Sequence, residues 1–170
     1  MALERGVTVG VYGFDAETFV AALRSMPVDL LVDVRMRRGV RGHEYAWANK
    51  ERLMALLDEA GIGYLHERDL ATPDAIRKAQ FAVDKDEHTT QRHRTSVSRA
   101  FRQAYGEQVL DRFDFEVFRR SLPAEAHSIA LMCVETEAAA CHRSLIASEM
   151  HQRWGLPVIN LLPPEVDSAS

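Results

Sequence analysis

The chain has 170 residues, 46% apolar and 27% charged, and 21 Lys and Arg against 25 Asp and Glu leave a formal net charge of −4. A length near the ~150-residue domain prior predicts one domain with its own core, and the acidic balance excludes a domain that grips nucleic acid by bulk charge. No apolar run nears the ~20 residues of a membrane helix and Met1 to Arg5 has no signal-like apolar core, so no membrane partner and a cytoplasmic location are expected.

In chain order, Val7 to Tyr12 is a β-branched run bounded by Gly6 and Gly13, which predicts a buried strand. Asp15 then caps a helix with Phe19, Ala22, Leu23 and Met26 on one face, stopped by Pro27. Leu30 to Val34 is a continuous apolar run around Asp33, the pattern of a strand covered on both faces. Asn49 opens a second helix that groups Leu53, Leu56, Leu57 and Ala60 and ends at Gly61, and Ile62 to His66 is the third strand.

From Glu67 to about Thr95 the chain is polar and without clear period, and it is read as an excursion or lid. A short helix around Ala75 to Val83 is the alternative within it. Two helical patterns follow, around Val97 to Leu110 and Phe113 to Ser121, before Pro123. Ser128 to Cys133 is the fourth strand, Arg143 to Trp154 a helix ended by Gly155, and Leu156 to Leu162 the last strand. Strands alternating with helices predict a single-domain, three-layer α/β fold: an open, mainly parallel sheet with right-handed crossovers and helices on both faces.

Ligands of such sheets collect outside the strand carboxyl ends. Tyr12, Asp33, Arg35, His66 and the run Cys133 to Ser144 are predicted to stand there. The run CVETEAAACHRS offers Cys133, Glu135, Cys141 and His142 as catalytic groups, with Arg143 and Ser144 at the start of a helix whose free amides favour an anion or a thiolate. The bland alternatives are a buried apolar Cys133, a hydrogen-bonded His66, and Asp33 as a turn cap. Two thiols eight positions apart in a reducing compartment are expected to be free, with a redox pair open if the fold joins them. Arg35 and Arg143 are predicted to converge on one small anionic or phosphate-bearing ligand. Cys133, Cys141 and His142 could ligate zinc, but the CxxC pairs of structural zinc sites are missing, so no metal is expected, and no cofactor signature such as GxGxxG occurs. Arg35, Arg37, Arg38 and Arg41 with Tyr45 and Trp47 leave nucleic acid open as a partner, against a solvated loop whose aromatics dock on the core.

The ordered set TVGVYG, LLVDVR, AGIGYLHERDL, LMCVETEAAACHRSLIA and PVINL resembles the bacterial family called domain of unknown function 488, almost end to end from Thr8 to about Leu162. The resemblance implies a compact α/β fold and makes Asp33, Arg35, Cys133, Glu135, Cys141, His142 and Arg143 motif positions, without assigning them roles. The stretches MRRGVRGHEYAWANK and ERDLATPDAIRKAQ depart from the family's loops. A weaker resemblance to rhodaneses rests on Leu31 to Arg35, Gly42-His43, Cys133 and Arg143-Ser144, and implies sulfur transfer. The expected function is an anion-binding, enzyme-like domain, with an interaction module and a rhodanese-like sulfurtransferase as alternatives.

Overall fold

The computed structural model describes residues 3–165. Five strands, β1 (Arg5–Val9), β2 (Leu30–Asp33), β3 (Gly63–His66), β4 (Ser128–Met132) and β5 (Val158–Asn160), form one parallel sheet in the order β3-β2-β4-β1-β5. The helices are α1 (Ala16–Ser25), α2 (Lys50–Glu59), α3 (Asp74–Asp86), α4 (Arg99–Tyr105), α5 (Phe115–Ser121) and α6 (Arg143–Trp154).

Alternation along each strand divides the core in two. Val7, Val9, Leu31 and Met132 face α1 and α2, where Phe19, Leu23, Leu53 and Leu57 cover them. Leu30, Val32, Ile129 and Leu131 face the other layer, built from Ile76, Phe101, Tyr105, Phe115, Phe118, Ile146 and Met150. The expected three-layer open α/β architecture is present. Each large side chain removed from water contributes roughly 1.5–3 kcal/mol, so these two layers dominate the stability of the sheet.

Local signals act where the chain turns. Asp15 accepts from the Thr18 amide at 2.8 Å while the Thr18 hydroxyl accepts from the Asp15 amide at 3.0 Å, a reciprocal cap that starts α1. Gly155 ends α6 at φ 68°, a left-handed turn that a side chain would strain. Asn49 behaves otherwise than expected: its side chain accepts from the Val40 amide at 2.8 Å and holds the preceding loop rather than capping α2. The excursion after β3 is also more regular than its polarity implies. It contains the thirteen-residue α3 and then an ordered strap from Glu87 to Ser98. The pattern after Val97 splits as well, since α4 passes into a π-helical turn at Gly106–Leu110.

Connections leave β2 toward β3 at one edge and leave β4 toward β5 across β1, so the sheet's direction reverses between the neighbours β2 and β4. That switch point opens a crevice at the strand carboxyl ends. Asp33 and Cys133 stand beside it.

Candidate active site

β4 is the central strand, and the chain leaving it is steered by close backbone contact. The Val134 carbonyl accepts from the Val11 and Tyr12 amides at 2.9 and 3.0 Å. The next peptide, at Glu135, passes so close over Gly10 that a Cβ there would overlap the Glu135 carbonyl. A 3-10 turn at Ala138–Ala140 then doubles the loop back onto α6. Cys133 and Cys141 are brought to one buried place and paired as a disulfide. The expectation of free thiols is corrected accordingly, because the turn cancels the eight-residue separation.

His142 lies against both sulfurs, with Nδ1 3.3 Å from Cys141 Sγ and 3.7 Å from Cys133 Sγ. Its Nε2 is 2.9 Å from the Val34 carbonyl, which can only accept, so Nε2 carries the proton and the Nδ1 lone pair faces the sulfurs. Burial pushes the imidazole pKa below its ordinary value, assisted by the Arg143 and Arg94 charges and opposed by the Val34 hydrogen bond and by Glu135. The ring is therefore held in its neutral form.

Glu135 completes the cluster. Oε2 is 3.0 Å from Cys133 Sγ, while Oε1 accepts from Arg94 Nη2 at 2.7 Å and from Gln91 Nε2 at 3.0 Å. Arg94 also donates to Asp84 at 2.7 Å and to the Ala140 carbonyl at 2.9 Å, which fastens the strap to both α3 and the cysteine loop. The Arg143 amide points at Cys141 Sγ from 3.5 Å. Its fully buried guanidinium donates to the Glu135 and Thr136 carbonyls at 2.7 and 3.0 Å. Burial pulls the Arg143 pKa down to about 10, against the opposing pull of Glu135 and Glu137.

The other expected site residues form a separate network. Arg35 grips Asp33 through two hydrogen bonds of 2.9 Å and donates to the Ala48 carbonyl at 2.9 Å. Tyr64 donates to Asp33 at 2.7 Å, and burial together with Asp33 pushes its phenol up to about 12. His66 Nε2 donates to the Arg35 carbonyl at 2.8 Å, a positioning contact for the loop. Arg35 closes onto the α1/α2 layer, whereas Arg143 begins α6 on the opposite layer. Among the described residues no shared contact brings these two guanidiniums together: Arg35 is filled by internal acceptors, whereas Arg143 spends its two terminal nitrogens on carbonyls and keeps a buried Nε without a partner.

Ser144 donates to the Cys141 carbonyl at 2.9 Å and closes the first turn of α6. Tyr12 lies tilted against Tyr45 with ring centres 5.4 Å apart, and the Arg92 guanidinium sits 4.9 and 5.5 Å from the two rings. Trp47 packs on Phe19 at 4.7 Å, so the aromatics beside the basic loop dock on the core. Sequence reasoning did not single out Gly10, Asp84, Gln91 or Arg94 for the site. One signal was present: Ile76, Gln80 and Asp84 share the buried face of α3, two polar groups at apolar-face positions. Gln80 donates to Asp84 at 2.9 Å there.

Fold and site together define an open parallel α/β domain with a buried Cys/His/Glu cluster at the carboxyl end of its central strand. The family model for the domain of unknown function DUF488 matches residues 15–150, and the chain belongs to that family. No curated protein and no solved structure matches it, and the resemblance to rhodaneses gains no support. Among the described residues no helix is long and apolar enough to cross a membrane.

Proposed function

We propose that this domain is a thiol-based redox enzyme whose Cys133 and Cys141 cycle between dithiol and disulfide by exchange with a small-molecule disulfide. The observation that carries the reading is His142, whose unprotonated Nδ1 faces both sulfurs because Val34 holds the proton on Nε2. In the reduced state Cys141 gives its proton to His142 Nδ1, and the thiolate is favoured by the Arg143 amide at the start of α6. That thiolate attacks one sulfur of the substrate disulfide, forms a mixed disulfide and expels the first substrate thiolate, which takes the proton from His142. Cys133 then gives its proton to Glu135 Oε2 and attacks Cys141 Sγ. The second substrate thiol leaves with that proton, and the Cys133–Cys141 bond is formed. One substrate disulfide is reduced to two thiols while the protein dithiol is oxidised.

Both sulfurs are buried beneath the strap, which selects a small disulfide over a folded protein substrate. Arg35 is filled by internal acceptors, and Arg143 spends both terminal nitrogens on carbonyls and keeps only a buried Nε, so phosphate binding has no part in this reading. The test is equilibration of the full chain in glutathione buffers, followed by alkylation and mass analysis. A catalytic pair should titrate above about −300 mV, the range below which structural disulfides resist the glutathione pool. His142→Gln should slow exchange about 100-fold, the lower end of general-base effects. A pair that stays oxidised throughout, or exchange indifferent to His142, overturns the proposal.

A further inference from the structure

We infer that the reduced form of this site binds one zinc ion through Cys133 Sγ, Cys141 Sγ, His142 Nδ1 and Glu135 Oε2. The inference rests on the reading that the cysteine pair is reducible. Among the described residues, Cys133, Cys141 and His142 form a buried group whose ligand atoms lie within 4.8 Å of one another. Glu135 Oε2 adds a fourth donor, 3.0 Å from Cys133 Sγ. A tetrahedral ion with bonds of ~2.0–2.3 Å separates its ligands by roughly 3.5 Å, and the two sulfur-to-Nδ1 distances, 3.3 and 3.7 Å, already match those edges. The sulfurs must move apart, which reduction of their bond releases them to do, and Glu135 Oε2, which touches Cys133 Sγ but stands outside the compact group of two sulfurs and Nδ1, must swing in as the fourth ligand.

The surroundings are those a zinc site requires. A metal-bound imidazole donates its second N–H to a fixed acceptor, and His142 Nε2 does so to Val34. A ligating carboxylate is held by its other oxygen, and Glu135 Oε1 takes Arg94 and Gln91. Cys141 Sγ faces the Arg143 amide, a donor that steadies a thiolate without competing for the metal. Two thiolates, a carboxylate and Zn²⁺ sum to one negative charge, and with Asp84 the two negative charges are offset by Arg94 and Arg143. The expectation of no metal rested on missing CxxC pairs, whereas here the 3-10 turn at Ala138–Ala140 gathers ligands that the chain separates.

The steps balance. Two small thiols reduce the Cys133–Cys141 bond and become their own disulfide, leaving two protein thiols. Zn²⁺ then displaces two thiol protons to solvent. A small disulfide reverses this by oxidising the two thiolates, leaving two substrate thiolates, and the ion departs.

The test uses the full chain, reduced, freed of reductant under anaerobic conditions and titrated with Co²⁺, with thiols counted in parallel. One equivalent should give a thiolate-to-cobalt charge-transfer band and tetrahedral d–d absorption, both removed by equimolar Zn²⁺. The oxidised chain should bind at least 100-fold more weakly. Glu135→Gln, which keeps both thiols and the shape of the loop, should keep the charge-transfer band and weaken binding about tenfold. The Cys133→Ser, Cys141→Ser double variant should lose the band. A reduced chain with two countable thiols and no tetrahedral cobalt spectrum overturns the zinc site while leaving the redox reading intact. A chain whose thiol count stays at zero under reductant overturns both. An unchanged spectrum in the double variant places the metal elsewhere and also overturns the inference.

Discussion

The carboxyl ends of β2 and β4 are neighbours in the sheet, and each carries a compact polar cluster, yet the two clusters are built for opposite ends. On the α1/α2 side, Asp33, Arg35 and Tyr64 spend their groups on one another and on Ala48, with a guanidinium fork matched to a carboxylate. On the α6 side, His142 keeps a lone pair aimed at two sulfurs, and Glu135 keeps one oxygen against Cys133. A saturated network locks a loop. One that leaves a lone pair facing a cysteine pair is the arrangement on which the redox proposal rests.

Substituting the brace gives the largest expected effect. Arg35→Ala leaves Asp33 buried with its charge unpaired and should cost about 3–5 kcal/mol in urea unfolding. Cysteine exchange in the folded fraction should stay near wild type. A variant that keeps its stability but loses exchange would make Arg35 part of the chemistry and break the comparison.

Arg94→Met should cost about 3 kcal/mol, because it strands Asp84 and Glu135 while keeping apolar bulk. It should also accelerate hydrogen exchange through Glu87–Ser98 and hasten alkylation of reduced Cys141 roughly tenfold, since about 1.4 kcal/mol of local opening suffices for that factor. Slow strap exchange in this variant would show that the sulfurs are covered by something other than the strap.

Gly10→Ala sharpens the comparison, for it touches only the sulfur side. Its Cβ meets the Glu135 carbonyl, which must shift, and overpacking of this kind costs about 1–3 kcal/mol. Thiol exchange should change with it while the Tyr64 phenol titration stays as in the parent, both followed in one set of absorbance measurements.

The smallest effect concerns Tyr64. Its phenol is raised to about 12, first by burial and then by Asp33, so the neutral form is favoured in the folded state. That contribution is complete below the unfolded midpoint of ~10 and fades as pH rises through about 12. The absorbance difference between the parent and Tyr64→Phe should therefore show a phenolate appearing near 12. A midpoint near 10 would mean that Asp33 and Tyr64 are not locked together in solution.

Much of this was open to reading along the chain. The apolar runs at Val7, Leu30 and Ser128 mark strands because a strand covered on both faces has no polar positions to spare. Asp15 and Gly155 mark helix ends through amide capping and left-handed freedom. The cluster of Cys133, Glu135, Cys141 and His142 was visible as composition. The strap was not, since Arg94 matters through Asp84, Glu135 and Ala140, partners 10, 41 and 46 positions away. A polar run whose partners are distant looks like a solvated loop.

The sequence by itself determined the alternation of elements, the helix caps and which residue types crowd the strand ends, because those follow from local periodicity and hydrogen-bonding capacity. Tertiary structure alone decided which of them meet. Asp33 is paired in register with Met132, so the two side chains share one face and the next positions, Val34 and Cys133, turn to the other. A register one residue different would have put Asp33 and Cys133 on the same side of the sheet. Register arises from packing between strands far apart in the chain, and that packing separates the Asp33–Arg35 brace from the sulfur pair.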